Sequence, residues 1–302
     1  MRIRRVVKTV LSVEQVEGVG AHVRRSIGRK EVTYVLKGVS AHEDFCGHSG
    51  LLKPGDLQWM TAGRGVVHAE MPVSEEPVQG LQLWVNLRRE DKMVEPQYQE
   101  LKDSQVPKPS REGVTVAVIS GQALGVQSKI FTRTPTLYLD LKLDGGAKQV
   151  QPVPSVSVGA LNGWLPRHRI TGPYGGLDMR PSQCYGPQLP WQDVGIPSGW
   201  TSFIYTLAGS VCVGPDAEQR KVEPHHTMVF DDGGCIAVEN KTSEVCHFVL
   251  IAGQPINEPV VQHGPFVMNT EEEINQAVRD YRTGTNGFER ATAWRSKIRE
   301  SF

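Results

Sequence analysis

The chain has 302 residues, enough for one large or two ordinary domains. Lys and Arg number 33, as do Asp and Glu, and this zero net charge argues against a protein that binds nucleic acid mainly by neutralising phosphates. Hydrophobic residues make up 39% and charged residues 22%, values that argue against global disorder. The 31 Gly and 20 Pro exceed average usage and favour many short strands over long helices.

Targeting and redox signals are weak. The basic N-terminal residues 1–8 are not followed by the apolar core of a signal peptide. No stretch approaches the roughly 18 apolar residues of a membrane span. The five cysteines are scattered, odd in number and form no Cys-x-x-Cys pair, which favours reduced thiols. We therefore expect an intracellular protein without a membrane span.

Strand patterns run along most of the chain. β-Branched, aromatic or alternating apolar residues, separated by turns such as Pro54-Gly55-Asp56, predict strands over residues 32–36, 81–87, 137–143, 201–207, 210–213, 227–230, 235–239 and 247–252. Short strands at this density indicate an antiparallel barrel or sandwich.

Helical patterns are confined to the C-terminal end. Thr270 and Glu273 have the spacing of a capping box, and an apolar face follows at helical spacing. The members of that face are Ile274, Ala277, Val278 and Tyr281. A second short helix is predicted over residues 288–298. We expect these helices to close over a barrel wall.

The sequence also contains a weak internal repeat. Tyr34-x-Leu36-x-Gly38 recurs as Tyr205-x-Leu207-x-Gly209, and Pro54 and Pro224 then open comparable turns. The repeat is consistent with two copies of one β-unit.

The strongest candidate for metal chemistry is the pair His68 and Glu70. Residues two apart on a strand point to the same side, so the two side chains can offer a nitrogen and an oxygen to one metal. A borderline ion such as Fe(II) accepts this mixture of ligands. The bare His-x-Glu spacing is nevertheless common by chance, and spacing alone favours a surface pair over a metal site.

The other histidines and the basic groups are weaker candidates. His42 and His48 flank Cys46 and could suggest a metal, but the glycines around them favour a turn. His225 and His226 follow Pro224 and are interpreted as turn or surface residues, and His247 as a hydrogen-bonded, half-buried side chain. The arginines lack interleaved aromatic residues and are expected on a solvated face. These are Arg2, Arg4, Arg5, Arg24 and Arg25.

Four long runs of sequence resemble the pirin family. They are Ala41-His-Glu-Asp-Phe-Cys-Gly-His48, Pro54-Gly-Asp-Leu-Gln-Trp-Met-Thr-Ala-Gly-Arg-Gly65, His68-Ala-Glu-Met-Pro72 and Gly80-Leu-Gln-Leu-Trp-Val-Asn-Leu87. The resemblance implies an all-β bicupin, two cupin-type antiparallel β-barrels with a C-terminal α-helix. On this basis residues 1–124 form the N-terminal barrel, and residues 125–302 form the C-terminal barrel and helix.

The resemblance also implies a function. Pirins are nuclear, iron-binding proteins credited with quercetin 2,3-dioxygenase activity and with co-regulating transcription through nuclear factor kappa B. Their iron lies in the N-terminal barrel, held by three histidines and one glutamate, and His68 and Glu70 match the third histidine and the glutamate. The expected cofactor is Fe(II)/Fe(III). The expected partners are transcription factors of the nuclear factor kappa B system and a flavonol. Direct binding to nucleic acid or to membranes is not expected. The resemblance further implies a monomer that is found in the nucleus and the cytoplasm.

Two departures from the family bear on this chain. The His-x-His-Arg-Gly-Phe-Glu-Thr run that supplies the first two histidines is absent, because Arg29 joins through Lys30 directly to Glu31. A Gly- and Pro-rich stretch, residues 155–198, interrupts the second barrel and is expected to be disordered. We therefore expect an opened N-terminal barrel with an apolar lumen and iron that is weakly bound or absent. His42 or His48 could substitute as ligands. The alternative is an inactive, partly folded variant without metal.

Overall fold

The computed structural model describes residues 2–12, 14–17, 21–24, 32–154 and 199–300. Within these ranges the chain forms 24 strands, numbered β1 to β24 in chain order, and two α-helices. The strand ladders are antiparallel. The expected all-β architecture with a C-terminal helix is therefore confirmed. No helix in the described part of the chain is long and apolar enough to cross a membrane.

The C-terminal barrel consists of a seven-stranded and a four-stranded sheet that enclose one apolar core. The larger sheet has the order β1 (Val6–Leu11), β20 (His226–Phe230), β17 (Thr201–Ala208), β22 (Cys246–Gly253), β15 (Thr136–Leu143), β12 (Val114–Ser120) and β11 (Ser110–Arg111). The smaller sheet has the order β16 (Lys148–Pro152), β21 (Cys235–Glu239), β18 (Val211–Val213) and β19 (Arg220–Val222). The fully buried Leu139, Leu141 and Phe248 belong to this core.

The N-terminal barrel consists of two smaller sheets. The first has the order β10 (Gln97–Leu101), β7 (Leu57–Thr61), β4 (Val32–Lys37) and β9 (Gln79–Leu83). The second has the order β6 (Ser49–Leu52), β5 (Ser40–Asp44) and β8 (His68–Pro72). Three hairpins complete the strands: β2 (Glu14–Glu17) with β3 (Ala21–Arg24), β13 (Gln122–Ala123) with β14 (Val126–Gln127), and β23 (Val261–His263) with β24 (Phe266–Met268).

The two barrels pack through a second apolar cluster. Tyr34 and Trp59 extend from one face of the sheet that contains β4 and β7, and they meet Tyr138, Val249 and Ile251 on β15 and β22. Because side chains alternate along a strand, the other face of the β4–β7 sheet points into the N-terminal barrel. One face of the sheet therefore forms the apolar interface between the barrels, and the other face lines the space between the two sheets of the N-terminal barrel, which we call the chamber.

The chain termini cross between the barrels. β1 pairs with β20 in the C-terminal barrel. Phe288 and Ala291, near the C-terminus, pack against Phe45 of the N-terminal barrel. β12 and β15, on either side of the domain boundary expected at residue 124, pair in one sheet. Each half of the chain therefore contributes segments that pack with the barrel formed mainly by the other half.

The internal repeat corresponds to equivalent strands. β4 and β17 carry the repeated residues, and each ends at a glycine in the left-handed region, Gly38 with φ +73° and Gly209 with φ +62°. Each strand is central in its sheet, since β4 pairs with β7 and β9 while β17 pairs with β20 and β22. The two barrels therefore contain one β-unit twice.

The predicted helix start is confirmed, and the second helix is displaced. Helix α1 spans Glu271–Thr283, with Thr270 and Glu273 forming the capping box and Gly284 the left-handed C-cap. The expectation of a helix over 288–298 is wrong, because this segment consists mainly of turns. Helix α2 spans Lys297–Glu300, where Glu43 Oε1 accepts a hydrogen bond from the Ile298 N–H at 3.1 Å.

The strand predicted over 81–87 ends earlier than expected. β9 covers Gln79–Leu83, and its ladder with β4 finishes where Leu83 lies opposite Val32. Val32 is the first residue of β4, so the described part of that strand offers no further backbone for pairing. The junction between Arg29 and Glu31 lies outside the described residues.

The stretch 155–198 likewise lies outside the described residues. Its two flanks approach the same loop, since the Val153 N–H donates to the Gly234 carbonyl at 2.9 Å and Arg4 bridges the carbonyls of Trp200 and Gly233. β16 and β17 on either side retain their ladders with β21 and β22. The sheets of the C-terminal barrel therefore pair on both sides of this stretch.

Candidate metal centre

A row of polar side chains crosses the chamber face of the first N-terminal sheet. The register places Glu100 opposite Gln58, Gln58 opposite Thr33, and Thr33 opposite Gln82. Directly opposed residues on neighbouring strands extend from the same face of a sheet. The four side chains therefore form one polar row, on the face opposite to the interface with the C-terminal barrel.

A second row crosses the facing sheet. His42 lies opposite Gly50 on one side and Glu70 on the other, and Asp44 lies opposite His68. The rows meet, because Gln58 reaches His42 and Thr33 reaches Glu70. The chamber is therefore polar around Glu70, while buried Val35 and Met60 lie on the same face, two residues along from Thr33 and Gln58. The expectation of an apolar lumen is wrong at Glu70 itself, where Thr33 and Gln82 lie within hydrogen-bond distance.

His68 and Glu70 share the chamber face of β8, as their i, i+2 spacing predicts, and both are half-buried. Glu70 Oε1 accepts a hydrogen bond from Thr33 Oγ1 at 3.2 Å, and Glu70 Oε2 accepts one from Gln82 Nε2 at 3.5 Å. The carboxylate thus has polar partners in the protein itself. The metal-ligating role of this pair stays a prediction.

Three further side chains in the chamber form a compact cluster. His42, His48 and Glu100 each offer one ligand atom, and the three atoms lie within 4.8 Å of one another. Glu100 Oε1 lies 3.0 Å from His42 Nε2 and 3.5 Å from His48 Nε2. Among the described residues, only this group contains three or more His, Cys, Asp or Glu side chains that lie close enough together to bind one metal ion.

Neighbouring groups hold the cluster in place. The Gln58 Nε2 donates to Glu100 Oε1 at 2.9 Å and lies 3.0 Å from His42 Nδ1. The His48 ring stacks between those of His42 and Tyr98, with centroid distances of 5.1 and 4.0 Å. His42 is 3% exposed and Gln58 2%. The ligand atoms are therefore fixed by packing and hydrogen bonds.

The same contacts determine the charge of Glu100. The hydrogen bond with His42, aided by the bond from Gln58, lowers the pKa of the Glu100 carboxyl to about 2, against the opposing effect of partial burial. Glu100 is consequently a carboxylate at neutral pH. A carboxylate beside two imidazoles is a ligand set that first-row transition metals accept.

His42 and His48 were predicted to lie in a turn, with either of them a possible substitute ligand, and Glu100 was not predicted to belong to a site. The β5–β6 hairpin returns His48 towards His42, and strand β10 brings Glu100 from about fifty residues away in sequence. The flanking of Cys46 by two histidines was the one signal available. Glu100 had no local signal, because its position depends on the pairing of β10 with β7.

The interpretations of His225 and His247 are confirmed, and that of His226 is wrong. His225 adopts a turn conformation with φ +65°, whereas His226 is half-buried as the first residue of β20, with Nδ1 2.9 Å from the Pro224 carbonyl. His247 Nε2 lies 2.5 Å from Asp140 Oδ1, so this side chain is hydrogen-bonded and half-buried as expected. Among the described cysteines Cys46, Cys212, Cys235 and Cys246 are free thiols, and burial raises the pKa of Cys246 to about 11.

Comparison with known proteins identifies the family. The profile described as Pirin matches residues 5–85, and the profile described as Pirin C-terminal cupin domain matches residues 192–287. Pirin from Homo sapiens is 53% identical over 327 aligned positions, which cover 98% of each chain. The chain belongs to the pirin family.

Solved structures share the pirin fold. Quercetin 2,3-dioxygenase from Acinetobacter baumannii is 23% identical with a TM-score of 0.71, covering 95% of this chain and 99% of that one. GK1651 from Geobacillus kaustophilus is 26% identical with a TM-score of 0.66, covering 86% and 100%. The expected bicupin of two cupin-type barrels is confirmed.

The four iron ligands that the resemblance implies are not all present in this chain. His68 and Glu70 match two of them, and the run that would supply the other two has no counterpart in the sequence. Thr33 and Gln82 already hydrogen-bond the two oxygens of Glu70. Two ligands do not impose the geometry that three or four impose. Tight iron binding at this pair is therefore not expected.

Replacing Gly50 with alanine is expected to disturb the cluster. A Cβ atom at this position would lie 2.8 Å from His42 Nε2, while the Gly50 backbone lies outside the left-handed region. The imidazole must shift, and we expect a loss of about 1–3 kcal/mol in the free energy of unfolding. Urea titration measures the loss. Gly253→Ala is the matched control, because a Cβ there meets nothing within 4 Å; equal effects of the two variants would contradict the prediction.

Proposed function

We propose that this chain acts as a pirin-type co-regulator of transcription, binding factors of the nuclear factor kappa B system in nucleus and cytoplasm. Quercetin 2,3-dioxygenase chemistry at Fe(II)/Fe(III) is then a weak second capability. The supporting observation is that both cupin frameworks and the polar chamber are retained while half of the family's iron ligands are missing. A partner surface depends on the framework, whereas iron chemistry depends on the full ligand set.

His68 and Glu70 remain the proposed contacts for iron of the family's kind. Bound iron would supply redox chemistry and positions for oxygen and a flavonol. Thr33 and Gln82 would orient Glu70 through their hydrogen bonds. The same two donors would stabilise the carboxylate when no cation is near. Because these residues make only two contacts to the ion, occupancy at this pair is expected to be low.

Iron content tests this expectation. After anaerobic loading with Fe(II) and desalting, we expect well below one iron per chain by elemental analysis. Inserting the His-x-His-Arg-Gly-Phe-Glu-Thr run that the resemblance implies before Val32 is expected to raise the content towards one. One tightly held iron in the unaltered chain that disappears in the His68→Ala, Glu70→Gln double variant would contradict the expectation.

Partner capture distinguishes the two roles. Immobilised nuclear factor kappa B is expected to retain the chain, and saturation with oxidised or reduced iron should change the amount captured. Oxygen uptake with quercetin in the absence of capture would favour the enzymatic role instead. Under the alternative of a partly folded variant, thermal unfolding would lack a cooperative transition.

A further inference from the structure

We propose that His42, His48 and Glu100 bind a divalent transition metal, at a site separate from the His68–Glu70 pair. The proposal goes beyond the function proposed above, since it assigns a ligand to residues outside the family's iron set. Two imidazoles and one carboxylate form the donor set of many zinc and non-haem iron sites, with positions left open for water.

The distances within the cluster suit one ion. Bonds of about 2.1 Å from a tetrahedral ion to nitrogen or oxygen separate neighbouring ligand atoms by about 3.4 Å. Glu100 Oε1 lies 3.0 Å from His42 Nε2 and 3.5 Å from His48 Nε2. All three ligand atoms lie within 4.8 Å of one another, so one ion can lie between them. His42 and Glu100 are already held by Gln58.

The local structure favours a cation at this end of the chamber. Asp44 lies on the same face of β5 as His42, two residues along, and is 3% exposed. Asp44 Oδ1 accepts from the N–H groups of Cys46 and His48, while Asp44 Oδ2 is buried without a hydrogen-bond partner among the described residues. A buried carboxylate oxygen without a partner is costly unless a positive charge lies near. This buried anion is bonded to the backbone of His48, and it favours a positive charge in the same part of the chamber.

Gly50 and Tyr98 shape the site. Gly50 faces His42 across the hairpin, where any side chain would meet the imidazole. Tyr98 stacks on His48 at 4.0 Å and limits its rotation. A site whose ligands are fixed before the ion arrives has a smaller ordering cost on binding.

Cobalt(II) is the probe for this site. Titration of the full-length chain with Co²⁺ should produce visible absorption typical of four- or five-coordinate cobalt, with a stoichiometry of one. Glu100→Gln, which keeps the shape of the side chain, and His48→Ala are each expected to weaken binding by about 100-fold or more. Circular dichroism of both variants checks that the strands are retained.

Three controls define the outcome. His68→Ala with Glu70→Gln, His263→Ala on the exposed strand β23, and Cys46→Ser beside the cluster are all expected to leave cobalt binding unchanged. The proposal is overturned if the unaltered chain binds no cobalt, or if binding survives in Glu100→Gln and His48→Ala. Loss of binding in the His68, Glu70 double variant would also overturn it, since one shared ion would then be indicated.

Discussion

Replacing Asp140 with alanine is expected to lower the free energy of unfolding by about 3–5 kcal/mol. Asp140 is 6% exposed and lies between the barrels. Tyr34 of the N-terminal barrel donates its hydroxyl to Asp140 Oδ2 at 2.8 Å, and His247 of the C-terminal barrel lies 2.5 Å from Oδ1. Removing the carboxylate leaves a buried hydroxyl and an imidazole without their partner.

The phenol is held in its donating form. Burial raises the pKa of Tyr34 far above its ordinary value, and the neighbouring Asp140 carboxylate raises it further. Tyr34→Phe removes one charge-assisted hydrogen bond and should cost about 1.5–3 kcal/mol. In a double-mutant cycle by guanidinium unfolding, we expect Tyr34→Phe to cost less in the Asp140→Ala background. Additive effects, or a loss below about 1 kcal/mol for Asp140→Ala, would refute the role of Asp140 as the link between the barrels.

Replacing Arg4 with methionine is expected to cost about 2–4 kcal/mol of unfolding free energy. Arg4 is 1% exposed, and its guanidinium donates to the Gly233 carbonyl at 2.9 Å, the Trp200 carbonyl at 2.6 Å and Ser202 Oγ at 2.9 Å. The substitution retains apolar volume but leaves these acceptors without their donor. The expectation that Arg4 lies on a solvated face is therefore wrong.

Arg5 provides the matched control for Arg4. Arg5 is exposed and contacts Asp231 at 3.3 Å, an arrangement that contributes little in water. Arg5→Met should change the unfolding free energy by less than about 1 kcal/mol. If Arg4→Met unfolded at the same urea concentration as Arg5→Met, the buried guanidinium would not hold the flanks of residues 155–198 as we infer.

Elements with a local signal could be predicted from the sequence. The alternation within 137–143 fixed β15 almost to its ends, and the Thr270–Glu273 spacing fixed the start of α1. The strand over 81–87 was predicted too long, because its end depends on where β4 begins rather than on its own residues. The alternation of apolar and polar residues within 81–87 does not show where the partner strand begins.

The candidate site was only half predictable for the same reason. His68 and Glu70 share a face by their spacing alone, and the structure retains this relation. Glu100 joins His42 only through the register of β10 on β7 and the packing of one sheet against another. Likewise, Arg2, Arg4 and Arg5 look alike in sequence, and only contacts with distant segments, such as the bond from the Arg4 N–H to the Cys235 carbonyl, decide which of them is buried.

Anomalous diffraction from crystals soaked in cobalt(II) tests the central claim most directly. The account predicts one strong peak about 2.0–2.2 Å from a nitrogen of His42, a nitrogen of His48 and an oxygen of Glu100. A peak on His68 and Glu70 alone, or no ordered cobalt in the chamber, would contradict it.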